Sequence, residues 1–376
     1  SILPIGADGN INFDDPEGLV TFSDGYIGTP STQSSQVSAR AVHTLSWQGH
    51  HLRWSTGYGK QQFRASERKN FGPSVIDGSE TVVDGSLTDV TDTPYVYLPQ
   101  QQREIYFFSL QDQWAITEDW QALLGVRFDE YSDSGFTSNP RASLSWRGPQ
   151  ISLKAFAGTA FRAPSFVELY AANNPAQVGN PDLEPEKARF GELGLNANIQ
   201  LNANASIEVN LFSYTVDDLI EPLPDPQSGG LRAANAGKQK GKGLEVVGSW
   251  KPYGNLRLEG NISFTELEDE LGNQSPHIPE EMAYLQAHWK VNTYWQASIS
   301  AKWVGERARE SNDTRAALKG YWWSDAKISW SNRGYSGAIL AKNLFDEDAR
   351  EPATTALPND YPLHGRQLML ELGYEF

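Results

Sequence analysis

An alternation of apolar and polar side chains recurs along almost the whole chain and limits what it can fold into. It is clearest over residues 294–304, where Trp295, Ile299 and Trp303 alternate with polar residues such as Gln296. Successive side chains of a strand point to opposite faces, so this period of two indicates strands with one apolar and one polar face. Helical periodicity is scarce by comparison, and the sequence predicts an all-β protein.

About fifteen segments of roughly ten residues meet this criterion. Each is bounded by stretches rich in Gly, Pro, Asp, Asn or Ser, which favour turns and loops. The predicted strands span residues 36–47, 51–62, 102–115, 119–130, 140–147, 150–161, 188–200, 205–217, 242–251, 255–267, 280–290, 294–304, 321–331, 335–344 and 364–376.

The connections between these strands alternate strictly between short and long. An outer-membrane barrel has short periplasmic turns and long extracellular loops, whereas a soluble sandwich has no reason to place every long loop at one end. The pattern therefore predicts a transmembrane antiparallel β-barrel. Short turns are predicted near residues 48–50, 116–118, 148–149, 201–204, 252–254, 291–293 and 332–334. Longer segments are predicted at 63–101, 131–139, 162–187, 218–241, 268–279, 305–320 and 345–363.

Tryptophan placement favours the same architecture. Aromatic girdles at the two membrane interfaces are typical of outer-membrane barrels. A general preference of Trp for strands does not explain clustering at strand ends. The tryptophans beside short turns are Trp47, Trp114, Trp120, Trp146, Trp250, Trp289, Trp295 and Trp330, and those near the long loops are Trp303, Trp322 and Trp323.

Composition excludes several classes of protein. The net charge is −16, from 31 basic and 47 acidic residues, and no basic stripe is present. Nucleic acid is therefore not expected as a partner, because phosphate binding needs clustered Lys and Arg. The chain contains no Cys, which removes thiol catalysis, thiolate metal sites and disulfides. No run of 18 apolar residues is present, as a spanning helix would need.

The predicted strand count leaves a problem of closure. If the short turns are periplasmic, strands 36–47 and 364–376 both run inward, and two parallel end strands do not complete an antiparallel barrel. Residues 1–35 would also begin outside the cell. Either residues 15–28 supply another outward strand or residues upstream of Ser1 are missing. We favour missing residues, because closure is how a barrel removes lipid-exposed edges.

Three segments together carry a family resemblance. Residues 158–186 read GTAFRAPSFVELYAANNPAQVGNPDLEPE, residues 342–346 read KNLFD, and the chain ends LELGYEF. In this order and at this spacing they resemble the C-terminal barrel of TonB-dependent outer-membrane receptors, and the resemblance covers the chain from about Gln36 onward. The motif positions are Phe161, Arg162, Ala163, Pro164, Asn180, Pro181, Leu183, Pro185, Glu186, Asn343, Leu344, Phe345, Asp346 and Phe376.

The resemblance implies a 22-stranded barrel that holds a plug domain. Residues 1–376 would then be the C-terminal portion of the barrel domain, without the plug, the energy-coupling box and about the first seven strands. The implied location is the outer membrane of a Gram-negative bacterium. The implied partners are the TonB complex, which acts through the absent plug, and lipopolysaccharide and outer-membrane lipid around the barrel.

The resemblance also implies binding and gating of a large, scarce nutrient, without enzymatic catalysis and without a resident cofactor or metal. A ferric siderophore is the default ligand, and cobalamin or another cofactor is the alternative. Haem is disfavoured, because residues 163–187 contain no His to serve as an axial ligand. Other classes are a passive porin, a barrel enzyme that would use Ser165 and His364, and a split receptor completed by another chain.

Several residues are expected to contact the ligand. Arg162 could bind an anionic ligand or the plug, or it could anchor its own loop. The turn at 180–186 is expected to be structural, and segment 237–243 is expected to be a mobile loop base. The expected ligand contacts are Arg162, Phe166, Tyr170, Tyr95, Tyr97, Tyr361 and His364.

Charged clusters allow two interpretations each. Acidic groups at 129–133, 266–270 and 346–348 could bind Ca²⁺ or be solvated loop charges. The lumen-facing cations could attract an anionic metal chelate or balance carboxylates of the lumen. These cations are Arg53, Arg127, Arg141 and Lys154.

Overall fold

Fifteen long antiparallel strands dominate the part of the chain that the structure describes, where residues in strands far outnumber those in helices. The computed structural model describes residues 1–12, 16–173, 177–200, 204–225, 230–355 and 357–375. The predicted all-β class and the strand count are confirmed. The strands are β1 Gly28–Trp47, β2 His50–Lys69, β3 Gln101–Ala115, β4 Trp120–Tyr131, β5 Gly135–Arg147, β6 Ile151–Arg162, β7 Glu186–Gln200, β8 Asn204–Pro224, β9 Leu231–Tyr253, β10 Leu256–Glu268, β11 Glu281–Lys290, β12 Trp295–Val304, β13 Tyr321–Asn332, β14 Tyr335–Lys342 and β15 Gln367–Tyr374.

Each long strand pairs antiparallel with the next along the chain, which places the apolar positions on one face. Ile299 of β12, for example, is paired with Ala287 of β11 and with Ala326 of β13. Ile299 and Leu285 are among the large apolar side chains exposed on this face. An exposed apolar band of this extent fits a lipid environment. The opposite face carries the polar residues and lines the lumen.

The connections fall at two ends, as the sequence predicts, but two of the long ones are shorter than expected. Only residues 132–134 separate β4 from β5, and only 225–230 separate β8 from β9. The strands continue beyond the apolar band. There both faces contact water, so apolar and polar side chains no longer alternate, but the hydrogen bonds between strands continue. Segment 237–243 is accordingly part of β9 and pairs with β8, so its prediction as a mobile loop base is wrong.

Glycines in the wall are covered by aromatic rings of the neighbouring strand. A Cβ on Gly241 would lie 2.4 Å from the Tyr214 ring, and one on Gly243 would lie 2.5 Å from the Phe212 ring. Both rings therefore lie flat on the backbone of β9. The two-residue turns also depend on glycine: residues 48–49 and 333–334 have positive φ at both positions, as type I′ hairpins require.

The tryptophan girdles agree with the register except at one residue. At the short-turn end, Trp120 pairs with Trp146 and Trp295 with Trp330. At the long-loop end, the Trp303 and Trp322 rings lie 5.3 Å apart on the outer face. Trp323 follows Trp322 directly and faces the lumen, where its indole N–H donates to the Asp325 carboxylate at 3.0 Å. Trp323 is therefore not a girdle residue.

Residues near the start of the chain form a separate small sheet at the long-loop end. Ile2–Ile5 pairs antiparallel with Gly18–Phe22, which pairs in parallel with Val82–Val83. Its core contains Ile5, Val20, Phe22, Phe71 and Ile76. The alternative in which residues 15–28 add a strand to the barrel is wrong, because the strand there belongs to this small sheet.

The barrel wall has a seam between its first and last strands. The order of strands around the wall closes it by placing β15 next to β1. Among the described residues no paired register joins them, and every residue of both strands is exposed. This junction is therefore the least closely paired one of the wall among the described residues. Across the described ranges, no helix is both long and apolar enough to cross a membrane.

Candidate functional site

One corner of the long-loop end is built around helix α1, Phe166–Tyr170, which follows strand β6. Pro164 is buried and offers no N–H to the ladder, so strand pairing stops there. Ser165 is the N-cap: its hydroxyl accepts from the Glu168 N–H at 3.2 Å, and the Glu168 carboxylate accepts from the Ser165 N–H at 2.7 Å. This reciprocal capping box fixes the start of the helix.

Arg162, the last residue of β6, joins α1 to the neighbouring strand. Its guanidinium donates to the Glu186 carboxylate at 2.7 and 2.6 Å and to the Glu168 carboxylate at 2.9 and 3.0 Å. Glu186 is its register partner on β7 and also accepts from the Ile220 N–H at 2.9 Å. The planar fork thus holds two carboxylates at once. Of the two roles considered for Arg162, this geometry favours anchoring of the loop.

Arg103 of β3 is the buried centre of the same corner, and no sequence motif marks it. Its Nε lies 2.7 Å from both oxygens of Asp133, and its Nη2 donates to the Pro164 carbonyl at 2.7 Å. The side chains of Arg103 and Asp133 are each only 6% exposed. The guanidinium carbon lies 4.8 Å from the centre of the Phe166 ring and 5.5 Å from that of Tyr131. A buried charge pair, a carbonyl and two rings therefore support the loop that carries α1.

The motif at residues 180–186 fastens α1 to strand β9. Leu183 is buried against Leu169 of the helix and Ala233 of β9. The Asn180 side chain donates to the Ala233 carbonyl at 3.1 Å. These contacts fit the expectation of a structural turn. Among the remaining motif positions, Pro185 and Glu186 are buried, Ala163 and Phe161 are half-buried, and Pro181 is exposed.

Five of the seven expected ligand contacts lie in or beside this assembly, here called the α1 corner: α1 with Arg103, Asp133, Arg162 and Glu186. The Phe166 ring centre is 6.4 Å from that of Tyr170, and both rings are half-buried. The loop of residues 70–100 packs beside them. Its Tyr97 carbonyl accepts from the Ala172 N–H at 2.7 Å, just beyond the helix.

The backbone of this loop is held by a buried ion pair at the end of β2. The Glu67 carboxylate accepts from the Tyr97 N–H at 2.8 Å, and the Lys69 ammonium donates to the Tyr95 carbonyl at 2.8 Å. Lys69 and Glu67 lie 3.6 Å apart and are almost fully buried. The Tyr95 and Tyr97 side chains are half-buried, so part of each ring faces solvent beside α1.

The other two expected contacts, Tyr361 and His364, belong to a different corner. Tyr361 is exposed in a short pairing with Glu351. The His364 ring packs edge-on against Trp323, with ring centres 4.8 Å apart. The structure therefore divides the expected ligand contacts between two groups of loops.

The KNLFD motif forms the base of this second group. Asn343 is buried with a positive φ, and its side chain donates to the carbonyls of Glu347 and His364 at 2.9 and 3.1 Å. Asp346 accepts from the Arg366 N–H at 2.7 Å. Leu344 is half-buried and Phe345 is exposed. The terminal Phe376 lies outside the described residues.

Arginine–aspartate pairs tie loop 305–320 to loop 343–366, and these pairs define the C-terminal corner: Arg309, Asp313, Arg315 and Asp360. Arg309 donates to Asp360 at 3.0 and 2.6 Å, and Arg315 donates to Asp313 at 2.9 and 2.6 Å. Arg309 also lies 3.5 Å from Asp313. Hydrogen bonds from Arg315 lower the pKa of Asp313 to about 2, and those from Arg309 lower the pKa of Asp360 to about 2.

The acidic groups weighed as Ca²⁺ ligands are largely occupied by cations. Asp129 pairs with Arg127 at 2.6 Å, Asp133 pairs with Arg103, and Glu266 pairs with Lys242 at 2.9 Å. In the described part of the chain, no group of three or more His, Asp or Glu side chains is arranged to hold a metal ion. The geometry favours charge balance over metal binding at these positions.

Residues 6–344 match the family model described as TonB dependent receptor-like, beta-barrel. The match covers most of the chain, and the protein belongs to this family of outer-membrane receptors. The family, the barrel fold and the location in the outer membrane of a Gram-negative bacterium, all expected from the motifs, are thereby confirmed.

The chain is similar to receptors and transporters of several kinds. It is 25% identical to the metal-pseudopaline receptor CntO of Pseudomonas aeruginosa, over 63% of this chain and 36% of that protein. It is 25% identical to the vitamin B12 transporter BtuB of Photobacterium profundum, over 69% and 41%. The crystal structure of the siderophore receptor PirA from Acinetobacter baumannii superposes with a TM-score of 0.70 at 18% identity, over all of this chain and 58% of that one. The chain thus spans less than half the length of CntO and of BtuB.

Proposed function

We propose that this chain is the C-terminal portion of the barrel of an outer-membrane receptor for TonB-dependent import of a large, scarce nutrient. A ferric siderophore is the first ligand to test. The observation that carries the proposal is the α1 corner. There the family motifs build a rigid support that presents aromatic rings at the long-loop end, where an external ligand arrives. Half-buried aromatic rings on a fixed scaffold suit the capture of a large ligand.

The seam between β1 and β15 supports the partial-barrel part of the proposal. No register pairs β1 with β15 among the described residues, and lipid provides no partner for a strand edge. About seven further strands would complete a 22-stranded wall. A split receptor, in which another polypeptide supplies those strands, is the alternative. The mass of the mature protein isolated from outer membranes, with any co-purifying chain, separates the two.

Cobalamin remains the second candidate ligand, since a relative of this chain is a vitamin B12 transporter. The other classes fit the site less well. A passive porin needs none of the family motifs. For a barrel enzyme, Ser165 and His364 would have to meet, but Ser165 caps α1 and His364 packs on Trp323 in the other corner.

The direct test is uptake by cells that carry the complete receptor. Radio-iron bound to different siderophores and radio-cobalt cobalamin would be compared in a deletion strain and in the complemented strain. A strain without the energy-coupling protein is the control for active transport. We expect receptor-dependent uptake of one ferric siderophore. Uptake of cobalamin alone would select the alternative, and uptake that persists without the coupling protein would refute active import.

Aromatic variants then locate the ligand. Phe166→Ala combined with Tyr170→Ala removes two rings of the α1 corner, whereas Tyr361→Ala removes one ring of the C-terminal corner. We propose that the α1 pair weakens ligand binding at least about tenfold, equivalent to about 1.4 kcal/mol. Arg162 is proposed to position α1 and not to contact the ligand directly, because four of its five N–H groups donate to two carboxylates.

A further inference from the structure

Arginines from several strands lie on one face of the wall formed by β1–β5. Arg53 of β2 pairs in register with Gln111 of β3, Gln111 with Gly125 of β4, and Gly125 with Arg141 of β5. Residues that are directly paired share one face of a sheet. The positions that alternate with them include Trp54, Leu110 and Leu124 on the lipid side. These arginines therefore face the lumen.

Two more arginines join them around one cavity. Arg127 lies two positions from Gly125 on β4, and Arg40 of β1 pairs with Gly57, which lies four positions from Arg53. Even spacing keeps both on the lumen face. A cavity of about 360 Å³ is lined by all four arginines, with Ser109, Gln111 and Asn139 among its polar groups. This volume is within the range of small-molecule sites.

The cations around this cavity exceed the carboxylates that face them. Arg127 pairs with the buried Asp129, and Arg141 donates to the Gln111 amide oxygen at 2.5 Å. Within the described ranges, no carboxylate forms an ion pair with Arg40 or Arg53. The chain as a whole carries a net charge of −16, so this local excess of positive charge comes from placement and not from composition.

We propose that this cavity is a binding site for a small multivalent anion with carboxylate or phosphate groups. Guanidinium groups bind such oxygens in planar, bidentate geometry, and like charges around one cavity are relieved when an anion binds between them. The site lies in the lumen wall and is separate from the rings of the α1 corner. Anion binding at this site can therefore be tested independently of the nutrient proposed above.

The test uses the complete receptor purified from outer membranes in detergent, with citrate as the probe in titration calorimetry. Succinate and acetate form a series of decreasing charge. Arg53→Gln with Arg141→Gln removes two cations of the cavity, and Arg40→Gln removes an exposed one without a carboxylate partner. Arg147→Gln is the matched control, because Arg147 lies on the same strand and face as Arg141 but does not line the cavity. Circular dichroism and heat-dependent gel migration establish that each variant is folded.

We expect saturable citrate binding that weakens in the order citrate, succinate, acetate. The double variant weakens it at least about tenfold, about 1.4 kcal/mol, whereas Arg147→Gln leaves it unchanged. Raising the ionic strength from about 0.01 M to about 0.1 M also weakens it, because the Debye length falls from about 30 Å to about 10 Å. The proposal is overturned by absence of saturable binding, or by an equal loss in Arg147→Gln. If an acidic segment of the receptor itself fills the cavity, the double variant loses stability while citrate has no effect, and that result also overturns it.

Discussion

The α1 corner and the C-terminal corner are both held by arginines, but they differ in redundancy. In the α1 corner, one buried guanidinium, Arg103, holds Asp133, the Pro164 carbonyl and the Phe166 ring. In the C-terminal corner, Arg309 and Arg315 share Asp313 and Asp360. Loss of Arg103 therefore leaves the buried Asp133 carboxylate without its cation. Loss of either arginine of the C-terminal corner leaves its two aspartates beside the other arginine.

Arg103→Ala is expected to have the largest effect, because no second cation among the described residues can replace Arg103. Removing one partner of a buried ion pair leaves the other uncompensated, which typically costs about 3–5 kcal/mol, and Asp133 is nearly inaccessible to water. We expect a loss of this size in the free energy of unfolding, measured by urea titration of the folded protein in lipid. Arg64→Ala, at an exposed position of β2, is the matched control. A loss below about 1 kcal/mol, as for a surface pair, would contradict the central role of Arg103.

Arg309→Ala is expected to have an intermediate effect. Arg315 still holds Asp313 and lies 3.7 Å from Asp360, so the cost should fall below the buried-pair range, to about 1–3 kcal/mol, the cost typical of a group that loses one hydrogen-bond partner. The expected signature is faster amide exchange in residues 305–320 and 345–363 with little change around α1. The double variant Arg309→Ala with Arg315→Ala should lose more than the sum of the single variants. Simple additivity would show that the two cations do not substitute for one another.

Ser165→Ala tests the helix of the α1 corner with a smaller change. Loss of an N-cap side chain typically costs about 1 kcal/mol, and the Glu168 carboxylate keeps its bonds to Arg162. We expect faster exchange of the amides of α1 while the barrel strands are unaffected. Ser165→Asp is the conservative control, because aspartate also caps helices. Equal effects of the two substitutions would mean that the cap does not determine the order of this loop.

The wall of the barrel could be predicted from sequence because lipid and lumen impose alternation. Strand β12 was predicted at 294–304 and runs from Trp295 to Val304. Strand β1 was predicted to begin at residue 36 and begins at Gly28. Residues 28–35 are wet on both faces, so no alternation marks them. The alternation of apolar and polar side chains thus marks the membrane-embedded part of each strand and not its full length.

The candidate site was predictable only where a motif marked it. Arg162 and Glu186 lie in recognisable motifs, and the structure brings them into contact. Arg103 and Asp133 are separated by 30 residues, and nothing local links them. The only feature of the sequence that could have pointed to Arg103 is its position, on the lumen face near the long-loop end of a strand. Only the pairing of β3 with β4 brings it beside the next acidic turn.

Acid titration compares the two corners without any substitution. Glu168, Asp313 and Asp360 each have a lowered pKa, so the ion pair of each stabilises the fold above the ordinary pKa, and that stabilisation is lost as the pH falls through the folded value. In the C-terminal corner the folded values are about 2, against ordinary values of 3.8. In the α1 corner, burial raises the pKa of Glu168, but hydrogen bonds from Arg162 and Ser165 outweigh it, and the pKa lies below its usual 4.5. Because the ordinary pKa of Glu168 is the higher one, 4.5 against 3.8, we expect the α1 corner to begin to open first on acidification.

Spin-label distances can follow both openings, since the chain has no native Cys to compete for labelling. Val167→Cys with Asp182→Cys reports on the α1 corner, and Ala316→Cys with Leu357→Cys reports on the C-terminal corner. The distance distribution in the α1 corner should broaden at a higher pH than the distribution in the C-terminal corner. The latter should stay narrow until the pH approaches 2. Asp360→Asn removes one titrating group of the C-terminal corner and should move only the second transition. If both distances broadened together near neutral pH, carboxylate–arginine pairing would not be what holds these loops.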